Sequence, residues 1–407
     1  MIISKKKDVH YQLELKDNKL NSLLEITNAI NLNLSTDKLL KIYAFILKEQ
    51  LGFRKFVLLH ANENWDCIVK VGFRGKLDFQ LIQQHLNKIR EITLVESSNY
   101  SLLKEFQAVI PVFHLENPLA YLLISSNVSS SQLETSHFHF TQTLTNIITV
   151  AIENKRLVKQ SIIKERISKE LEVASEMQKL LFPSDLPSNR KMDISAKYIP
   201  RHAIGGDYYD FIPLGDEEYI ICIADVSGKG ISAALLMANF QATIRTLFKY
   251  QRFELPFLME ELNKKVIKST NGEKFITFFL AHYNAHTRKL KYVNAGHNHP
   301  ILWHGKKATL LKEGCIGLGM LDELPYVNVG RIELMPNTTF VLYTDGIVEL
   351  ENENGEHFGL DRLIKNIQSY SPLSMEDLNT IILSKLDEWR GKLNFVDDTA
   401  IFSCKFF

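Results

Sequence analysis

The stretch Ile204–Ala234, IGGDYYDFIPLGDEEYIICIADVSGKGISAA, decides the fold of the C-terminal half of the chain. Two aspartates, Asp207 and Asp225, lie in it among small residues and glycines, each beside a β-like run. Asp225 follows the apolar run Tyr219–Ala224, and residues Ile231–Tyr250 then read as a long, partly buried helix. This order of strand, acidic turn and helix predicts a carboxylate held rigidly at the rim of a sheet.

The pattern of an apolar strand beside an aspartate recurs twice more. The segment FVLYTDG places Asp345 just after one apolar strand, and NFVDDTAIFSCKF places Asp397 and Asp398 just before another. A single acidic turn is usually structural, because the Asp side chain hydrogen-bonds the turn backbone. Carboxylates at several strand ends of one domain instead indicate a site for hard divalent cations, which prefer oxygen ligands.

Length and composition indicate a globular protein of two domains. The chain has 407 residues, and a single hydrophobic core stops growing at roughly 250–300 residues. Hydrophobic residues make up 45% and charged residues 23%, and the net charge of +1 argues against a general nucleic-acid or membrane-surface binder. The four cysteines are scattered without zinc-type spacing, and we expect reduced thiols. Neither a transmembrane run nor a signal peptide is found, so the expected location is the cytoplasm.

The N-terminal half predicts a sensor domain at residues 18–150, preceded by a tail at residues 1–17. Its helix and strand signals follow the order α, β, β, α, β, β, α, which is typical of an α+β domain with an antiparallel sheet. A serine-rich turn, Ser125–Ser131, then leads into a further helix. The element order and the strand pair AVIPVF and PLAYLLIS resemble a GAF domain, a module that senses small molecules or partners. The signature of the cyclic-nucleotide-binding members is absent from the sequence, and a docking or dimerisation domain without a ligand stays open.

A helical linker is predicted at residues 151–184. The run Ile147–Phe182 contains no Gly or Pro and ends at Pro183, which indicates one continuous helix. Its seam has the spacing of a short coiled coil: Ile167, Leu171, Ala174, Gln178 and Leu181. The seam favours either a helix packed on its own domains or a parallel coiled coil in a homodimer. Near the end of this helix we expect four side chains to pack on the C-terminal domain beside the strand of Asp207: Val173, Met177, Leu180 and Leu181.

Residues 185–407 form the predicted C-terminal domain, in which strand signals are grouped rather than alternated with helices. Four helices are predicted: Ser232–Tyr250, Pro256–Thr270, Gly359–Ser369 and Ser374–Trp389. A parallel doubly wound sheet would need a helix after nearly every strand, and the stretch Phe275–Val348 shows no helix signal. Two sheets flanked by helical layers fit the sequence better, and the fold class of the chain is therefore α+β.

Five motifs in order, GGDYYDF, ADVSGKG, NAGHNHP, YTDG and DDTAIF, resemble the metal-dependent serine/threonine phosphatases of the PPM, or protein phosphatase 2C, family. The resemblance covers roughly residues 170–407. It is greatest to the bacterial SpoIIE-type branch, and in particular to regulators of the RsbU kind. It implies a β-sandwich of two antiparallel sheets with helices on both outer faces.

The resemblance also implies a site for two Mn²⁺ or Mg²⁺ ions, with a metal-activated water as the nucleophile that attacks phosphorus. The implied ligands are the carboxylates of Asp207, Asp225, Asp345 and Asp397 and the backbone carbonyl of Val226. Asp225 would bridge both ions, and Asp225 and Asp207 would be the central catalytic residues. This set agrees with the preference of both ions for oxygen ligands.

Two departures from the family pattern concern the general acid and the phosphate-binding residue. Many eukaryotic members have a histidine two residues after the bridging aspartate, where this chain has Ser227. Arg201 is the arginine nearest to Asp207 in sequence, and base rates favour a solvated surface residue there. His297 in NAGHNHP is interpreted as a turn-fixing residue rather than a metal ligand.

The resemblance implies a phosphatase that acts on phosphoserine or phosphothreonine in a partner-switching pathway. Its implied substrate is a STAS-domain anti-sigma factor antagonist, and the GAF-like domain would respond to an upstream regulator or a small ligand. A pseudo-phosphatase that only binds its partner is disfavoured, because all four aspartates are present. A hydrolase of small phosphates is the third alternative, but GKGIS at Gly228–Ser232 lacks the first glycine of a P-loop.

Overall fold

The computed structural model describes residues 2–61, 65–95, 103–126, 135–250 and 254–407. The chain divides into two compact units, Met1–Glu165 and Arg166–Phe407. No helix in the described ranges combines the length and the apolar character needed to cross a bilayer. Most of the serine-rich turn predicted at Ser125–Ser131 lies outside the described residues.

The first unit contains one sheet and the helices that cover it. Its strands are β1 (Phe53–His60), β2 (Asp66–Val71), β3 (Thr93–Leu94), β4 (Ala108–His114) and β5 (Asn117–Ser126). Its helices are α1 (Ile2–Asn31), α2 (Thr36–Phe45), α3 (Phe79–Leu86) and the first part of α4 (Thr135–Lys179). The sheet is antiparallel with the order β2-β1-β5-β4-β3, and one of its faces packs on α1, α2 and α4. The predicted antiparallel α+β arrangement is confirmed.

Helix α1 includes the residues predicted as an N-terminal tail. It begins at Ile2 and continues to Asn31. Residues 2–31 contain neither Gly nor Pro, so no residue in this stretch interrupts the helix.

Helix α4 is continuous to Lys179. The last residues of the predicted coiled-coil seam are turned toward the core of the second unit, to which they belong. Leu171 is partly buried and Gln178 is only 8% exposed. Four side chains near this end were expected to pack on the C-terminal domain. This prediction was wrong for three of them, which are exposed: Val173, Met177 and Leu180. The physical reason is that α4 ends and the chain turns, so that Leu181 and Phe182 reach the core instead.

The second unit contains eleven strands in the described residues and five further helices. Its strands are β6 (Met192–Ile199), β7 (Tyr208–Gly215), β8 (Glu218–Val226), β9 (Ile276–Asn284), β10 (Lys289–Ala295), β11 (Ile301–His304), β12 (Lys307–Leu310), β13 (Gly314–Cys315), β14 (Gly330–Glu333), β15 (Thr338–Tyr343) and β16 (Thr399–Phe406). Its helices are α5 (Ile231–Tyr250), α6 (Leu255–Thr270), α7 (Asp345–Val348), α8 (Leu360–Tyr370) and α9 (Met375–Arg390). The four predicted helices are confirmed as α5, α6, α8 and α9.

The strands of the second unit form two sheets that face each other. The first sheet has the order β13-β10-β9-β8-β7, with β14 also paired to β10, and the second has the order β12-β11-β15-β16-β6. All of these pairs are antiparallel except β10 with β13. An apolar core lies between the sheets, while α5 and α6 cover the first sheet and α8 and α9 cover the second. The predicted β-sandwich with helices on both outer faces is confirmed.

Strand register places the acidic residues at one end of each sheet. In the first sheet Tyr208 of β7 pairs with Ala224 of β8, so the neighbouring Asp207 and Asp225 lie side by side. In the second sheet β15 runs antiparallel to β16, so the residue that follows β15 lies near those that precede β16. In each sheet, the carboxylates therefore lie at the same end of two neighbouring antiparallel strands.

Candidate metal centre

Carboxylates from both sheets meet at one end of the sandwich. Asp207 precedes β7, Asp225 lies near the end of β8, and Asp345 begins α7 two residues after the end of β15. Asp397 and Asp398 directly precede β16. Asp207 and Asp225 lie close enough to affect each other's pKa, and the other three carboxylates all lie close enough to raise the pKa of Asp225. The structure thus brings the four predicted carboxylate ligands together and adds a fifth carboxylate to the cluster.

Burial and mutual repulsion raise the pKa values of Asp207, Asp225 and Asp345. Burial is the largest cause for Asp207, whose pKa is raised well above its usual range, and the charge of Asp225 adds to it. Burial, followed by the charge of Asp345, raises the pKa of Asp225 to about 7. Burial, followed by the charge of Asp397, raises the pKa of Asp345 to about 6. A cation in this cluster would favour the ionised carboxylates that the protein alone disfavours.

The donor set fits small divalent cations such as Mg²⁺ or Mn²⁺. Asp207 is 1% exposed, and its Oδ2 atom has no hydrogen-bond partner among the described residues, which points to a bonding role for this oxygen. A Cβ at Gly206 would lie 3.0 Å from the carbonyl oxygen of Val226, so the glycine leaves space beside this predicted ligand. The described side chains do not form a ready-made group of three acidic, histidine or cysteine ligands.

The side chain of Asp398 binds backbone N–H groups of the loop that precedes Asp207. Its Oδ1 accepts from the Arg201 N–H at 2.8 Å, and its Oδ2 accepts from the Gly206 N–H at 2.6 Å. A Cβ at Gly205 would lie 2.2 Å from Asp398 Oδ2, so the loop can approach this closely only with glycine there. Arg201 contributes its backbone to this contact, and the residue is exposed. Asp398 was predicted only as a neighbour of Asp397, because sequence gives no sign of a contact with a loop almost 200 residues away.

Lys229 is a cation at this site that sequence reasoning missed. Its Nζ lies 2.7 Å from Asp397 Oδ2 and 3.3 Å from the Val396 carbonyl oxygen. The flanking Gly228 and Gly230 both have positive φ, which turns the chain between β8 and α5 and directs the lysine toward the segment before β16. The sequence signal for this lysine is its place between two glycines, Gly228 and Gly230, directly after the strand that carries Asp225.

Two further predicted residues have structural contacts rather than ligand contacts. Ser227 replaces the histidine of eukaryotic members, and it pairs with Phe275: its N–H donates to the Phe275 carbonyl at 3.0 Å, and its Oγ accepts from the Phe275 N–H at 2.9 Å. His297 is 4% exposed, and its ring contacts Thr277 and the carbonyl oxygen of Tyr343. Neither side chain is thus directed at the carboxylates.

Comparison with known proteins identifies similar chains for this half of the molecule. The sequence pattern of the family described as Stage II sporulation protein E, SpoIIE, matches residues 215–407. The phosphoserine phosphatase RsbU of Bacillus subtilis (strain 168) is 33% identical over 215 residues, which are 50% of this chain and 61% of that protein. The phosphoserine phosphatase RsbP of the same organism is 26% identical over 187 residues, which are 44% of this chain and 45% of that protein. The chain thus spans less than two thirds of either relative.

A solved structure supports the same fold. The SiaA PP2C domain of Pseudomonas aeruginosa superposes with a TM-score of 0.54 at 22% identity, covering 61% of this chain and 99% of that domain. These matches confirm the resemblance indicated by the five motifs. Residues 215–407 are therefore similar to the SpoIIE family, and the second unit has the PPM, or protein phosphatase 2C-like, fold.

Proposed function

We propose that this chain is a metal-dependent protein serine/threonine phosphatase. The observation that carries the proposal is the cluster of carboxylates contributed by both sheets, with a buried oxygen on Asp207 that no residue in the described ranges hydrogen-bonds. A cluster of oxygen donors at the rim of a rigid sandwich suits hard divalent cations. Two curated relatives are named phosphoserine phosphatases, which supports the same class of reaction.

The carboxylates would hold two Mn²⁺ or Mg²⁺ ions with the help of one backbone carbonyl. The residues in this role are Asp207, Asp225, Val226, Asp345 and Asp397. Asp225 is the candidate for bridging both ions, because it lies side by side with Asp207 and the charge of Asp345 raises its pKa. When bound, such ions stabilise negative charge on phosphoryl oxygens and make water a competent nucleophile near neutral pH.

Lys229 is our candidate for binding the phosphate group of the substrate. Its side chain is 46% exposed, whereas the Asp397 carboxylate that it contacts is 37% exposed, so the ion pair lies at the open side of the cluster. Lysine is a common phosphate ligand and acts as a point charge. With cations bound beside Asp397, the ammonium group of Lys229 would be free to contact an anionic substrate.

The proposed substrate is a phosphoserine or phosphothreonine on a protein of a partner-switching pathway, namely a STAS-domain anti-sigma factor antagonist. The names of the relatives RsbU and RsbP support phosphoserine as the group attacked. A pseudo-phosphatase that binds this partner without hydrolysis remains the alternative. The buried carboxylate cluster argues against it, because buried carboxylates with raised pKa are costly unless they serve a function.

We further propose that the first unit is a GAF-like sensor and that the chain is a homodimer. The antiparallel sheet and covering helices of the first unit support the sensor. Helix α4 leaves a group of large apolar side chains exposed, which supports a helix partner: Leu157, Val158, Ile162, Ile163 and Ile167. The end of the predicted seam contacts its own domain, so a coiled coil would use this earlier part of α4.

The decisive experiment is dephosphorylation of a candidate substrate by the full chain. The protein is incubated with Mn²⁺ and each phosphorylated STAS-domain protein of the host, and phosphate loss is followed by mobility on a phosphate-affinity gel. We expect at least one substrate to lose its phosphate, and EDTA to prevent the loss. Binding to a phosphorylated STAS protein that stays phosphorylated in excess Mn²⁺ would favour the pseudo-phosphatase. Turnover of small phosphate esters alone would favour the small-phosphate hydrolase.

A further inference from the structure

We propose that His297 is a positioning residue that ties the two sheets together and sets the spacing between the carboxylates of one sheet and those of the other. The inference rests on the proposed metal centre. It assigns His297 a role beyond fixing its own turn, and it does not make the residue a metal ligand.

The turn that carries His297 is tightly specified. Gly296 has φ +64°, and a Cβ there would lie 2.8 Å from the backbone nitrogen of Gly317. The Oδ1 atom of Asn294 accepts from the His297 N–H at 2.7 Å. The backbone of the turn is thus fixed by glycine and asparagine. The imidazole ring is left to make contacts of its own.

Both ring nitrogens of His297 are used, and they reach different sheets. Nδ1 lies 2.9 Å from the Oγ1 atom of Thr277, in β9 of the first sheet. Nε2 lies 3.2 Å from the carbonyl oxygen of Tyr343, at the end of β15 in the second sheet. A residue needed only for the turn would not have to span the gap between the sheets.

The tautomer of His297 follows from these two contacts. The Tyr343 carbonyl can only accept, so Nε2 carries the proton and donates it. Nδ1 then accepts from the Thr277 hydroxyl. Burial lowers the pKa of His297 to about 4, which keeps the ring neutral at physiological pH. The ring is therefore a directional bridge with one donor and one acceptor.

Each end of the bridge lies next to a candidate metal ligand. Thr277 is the strand partner of Asp225, and its hydroxyl also lies 3.5 Å from the Asp225 carbonyl oxygen. Tyr343 lies two residues before Asp345. The chain of contacts from Thr277 through the ring to Tyr343 thus connects the segments that carry Asp225 and Asp345. Because Mg²⁺ and Mn²⁺ sites tolerate little error in ligand placement, this connection matters for ion binding.

The test compares Mn²⁺ binding by calorimetry in full-length variants, at a temperature well below unfolding. His297→Phe keeps a ring and removes both nitrogens, while Thr277→Val removes one partner. We expect each to weaken Mn²⁺ binding at least about tenfold, as for other residues that orient metal ligands. The double variant should lose little more than either single one, because both remove the same connection. His297→Gln, which can still donate to Tyr343, should recover part of the affinity. His299→Asn alters an exposed histidine two residues away and should bind like wild type.

Two results would overturn the inference. One is wild-type Mn²⁺ affinity in folded His297→Phe and Thr277→Val proteins, even if their melting temperatures fall, because that pattern indicates a purely structural residue. The other is full additivity of the two losses. If His297→Phe does not fold, Thr277→Val and His297→Gln decide the question in the same way. The proposed function fails separately, when wild-type protein binds Mn²⁺ but releases no phosphate from any phosphoprotein.

Discussion

The side-chain amide of Gln178 pairs with the backbone of Gly205 through two hydrogen bonds. Nε2 of Gln178 donates to the Gly205 carbonyl at 2.7 Å, and Oε1 accepts from the Gly205 N–H at 3.2 Å. Gln178 lies in the last turn of α4, and Gly205 lies two residues before Asp207. The end of the predicted linker helix therefore holds the loop that presents a candidate metal ligand.

Replacing Gln178 with Ala should weaken Mn²⁺ binding while the protein stays folded. Two buried backbone groups of Gly205 lose their partner, and the loop before Asp207 gains freedom. We expect Mn²⁺ affinity to fall by about tenfold, measured by calorimetry. Met177→Ala is the matched control, because this neighbour is 60% exposed and makes no such contact. Equal affinities in both variants and in wild type would show that α4 has no influence on the site.

Replacing Lys229 with Met should affect substrate and metal in opposite directions. Loss of the ammonium group removes the proposed phosphate contact, so KM for a phosphopeptide should rise by about tenfold, the equivalent of one charge-assisted hydrogen bond. Mn²⁺ affinity should rise, because a cation that competes for Asp397 has gone. Lys274→Met is the control, since the Lys274 ammonium contacts Ser232 rather than a carboxylate. An unchanged KM in the Lys229 variant would remove this residue from the phosphate site.

The neighbours Asp397 and Asp398 should respond differently to substitution by Ala. Asp397 is a proposed ligand and its side chain is 37% exposed, so its loss should reduce activity with little loss of stability, and excess Mn²⁺ should restore part of the activity. Asp398 accepts two backbone N–H groups, so its loss should lower the free energy of unfolding by about 1–3 kcal/mol. Excess Mn²⁺ should not repair that fold defect. Denaturant titration and Mn²⁺-dependent turnover of both variants distinguish the roles, and identical behaviour would contradict them.

The metal-free protein should become less stable as pH rises from about 4 to 7. The pKa of Asp225 is raised from 3.8 to about 7 in the folded state, so the native state binds more protons than the unfolded state within this window. The stabilising contribution is present below the unfolded pKa and is lost as pH rises through the folded pKa. Asp225→Asn should therefore be more stable than wild type near neutral pH in EDTA, by about 2 kcal/mol or more. Urea unfolding at several pH values measures this difference, and a wild-type pH slope in the variant would contradict it.

Much of the fold could be predicted from the sequence, because the spacing of apolar residues agrees with the residues that the structure buries. The helix Ile231–Tyr250 is amphipathic and follows two glycines, and it is found as α5 between the same residues. Asp207, Asp225 and Asp345 lie beside apolar runs, so their position at strand ends follows from the sequence itself. Strand register then brings them together without any further signal.

The contacts that support the site could not be predicted, because each joins distant side chains and backbone. The position of Gln178 in the seam is equally compatible with a coiled coil and with packing on its own domain. Only the structure shows that its side chain binds Gly205. Helical periodicity also predicted packing that the structure does not show. Helix α4 ends at Lys179, and the side chains of Met177 and Leu180 are exposed instead of packed on the core. Hydrophobic pattern reports the face of a helix, and it does not report where the chain turns away.

The proposed reaction of the two-metal carboxylate centre is hydrolysis of a phosphoserine or phosphothreonine on a protein. It is tested most directly by phosphate release from a phosphorylated STAS-domain protein as Mn²⁺ is added to wild type and to Asp225→Asn. We predict Mn²⁺-dependent release by wild type and a loss of at least about a hundredfold in the variant, because an amide cannot bridge and neutralise two cations. Wild-type turnover by folded Asp225→Asn, or release by wild type that does not depend on divalent cations, would contradict the account.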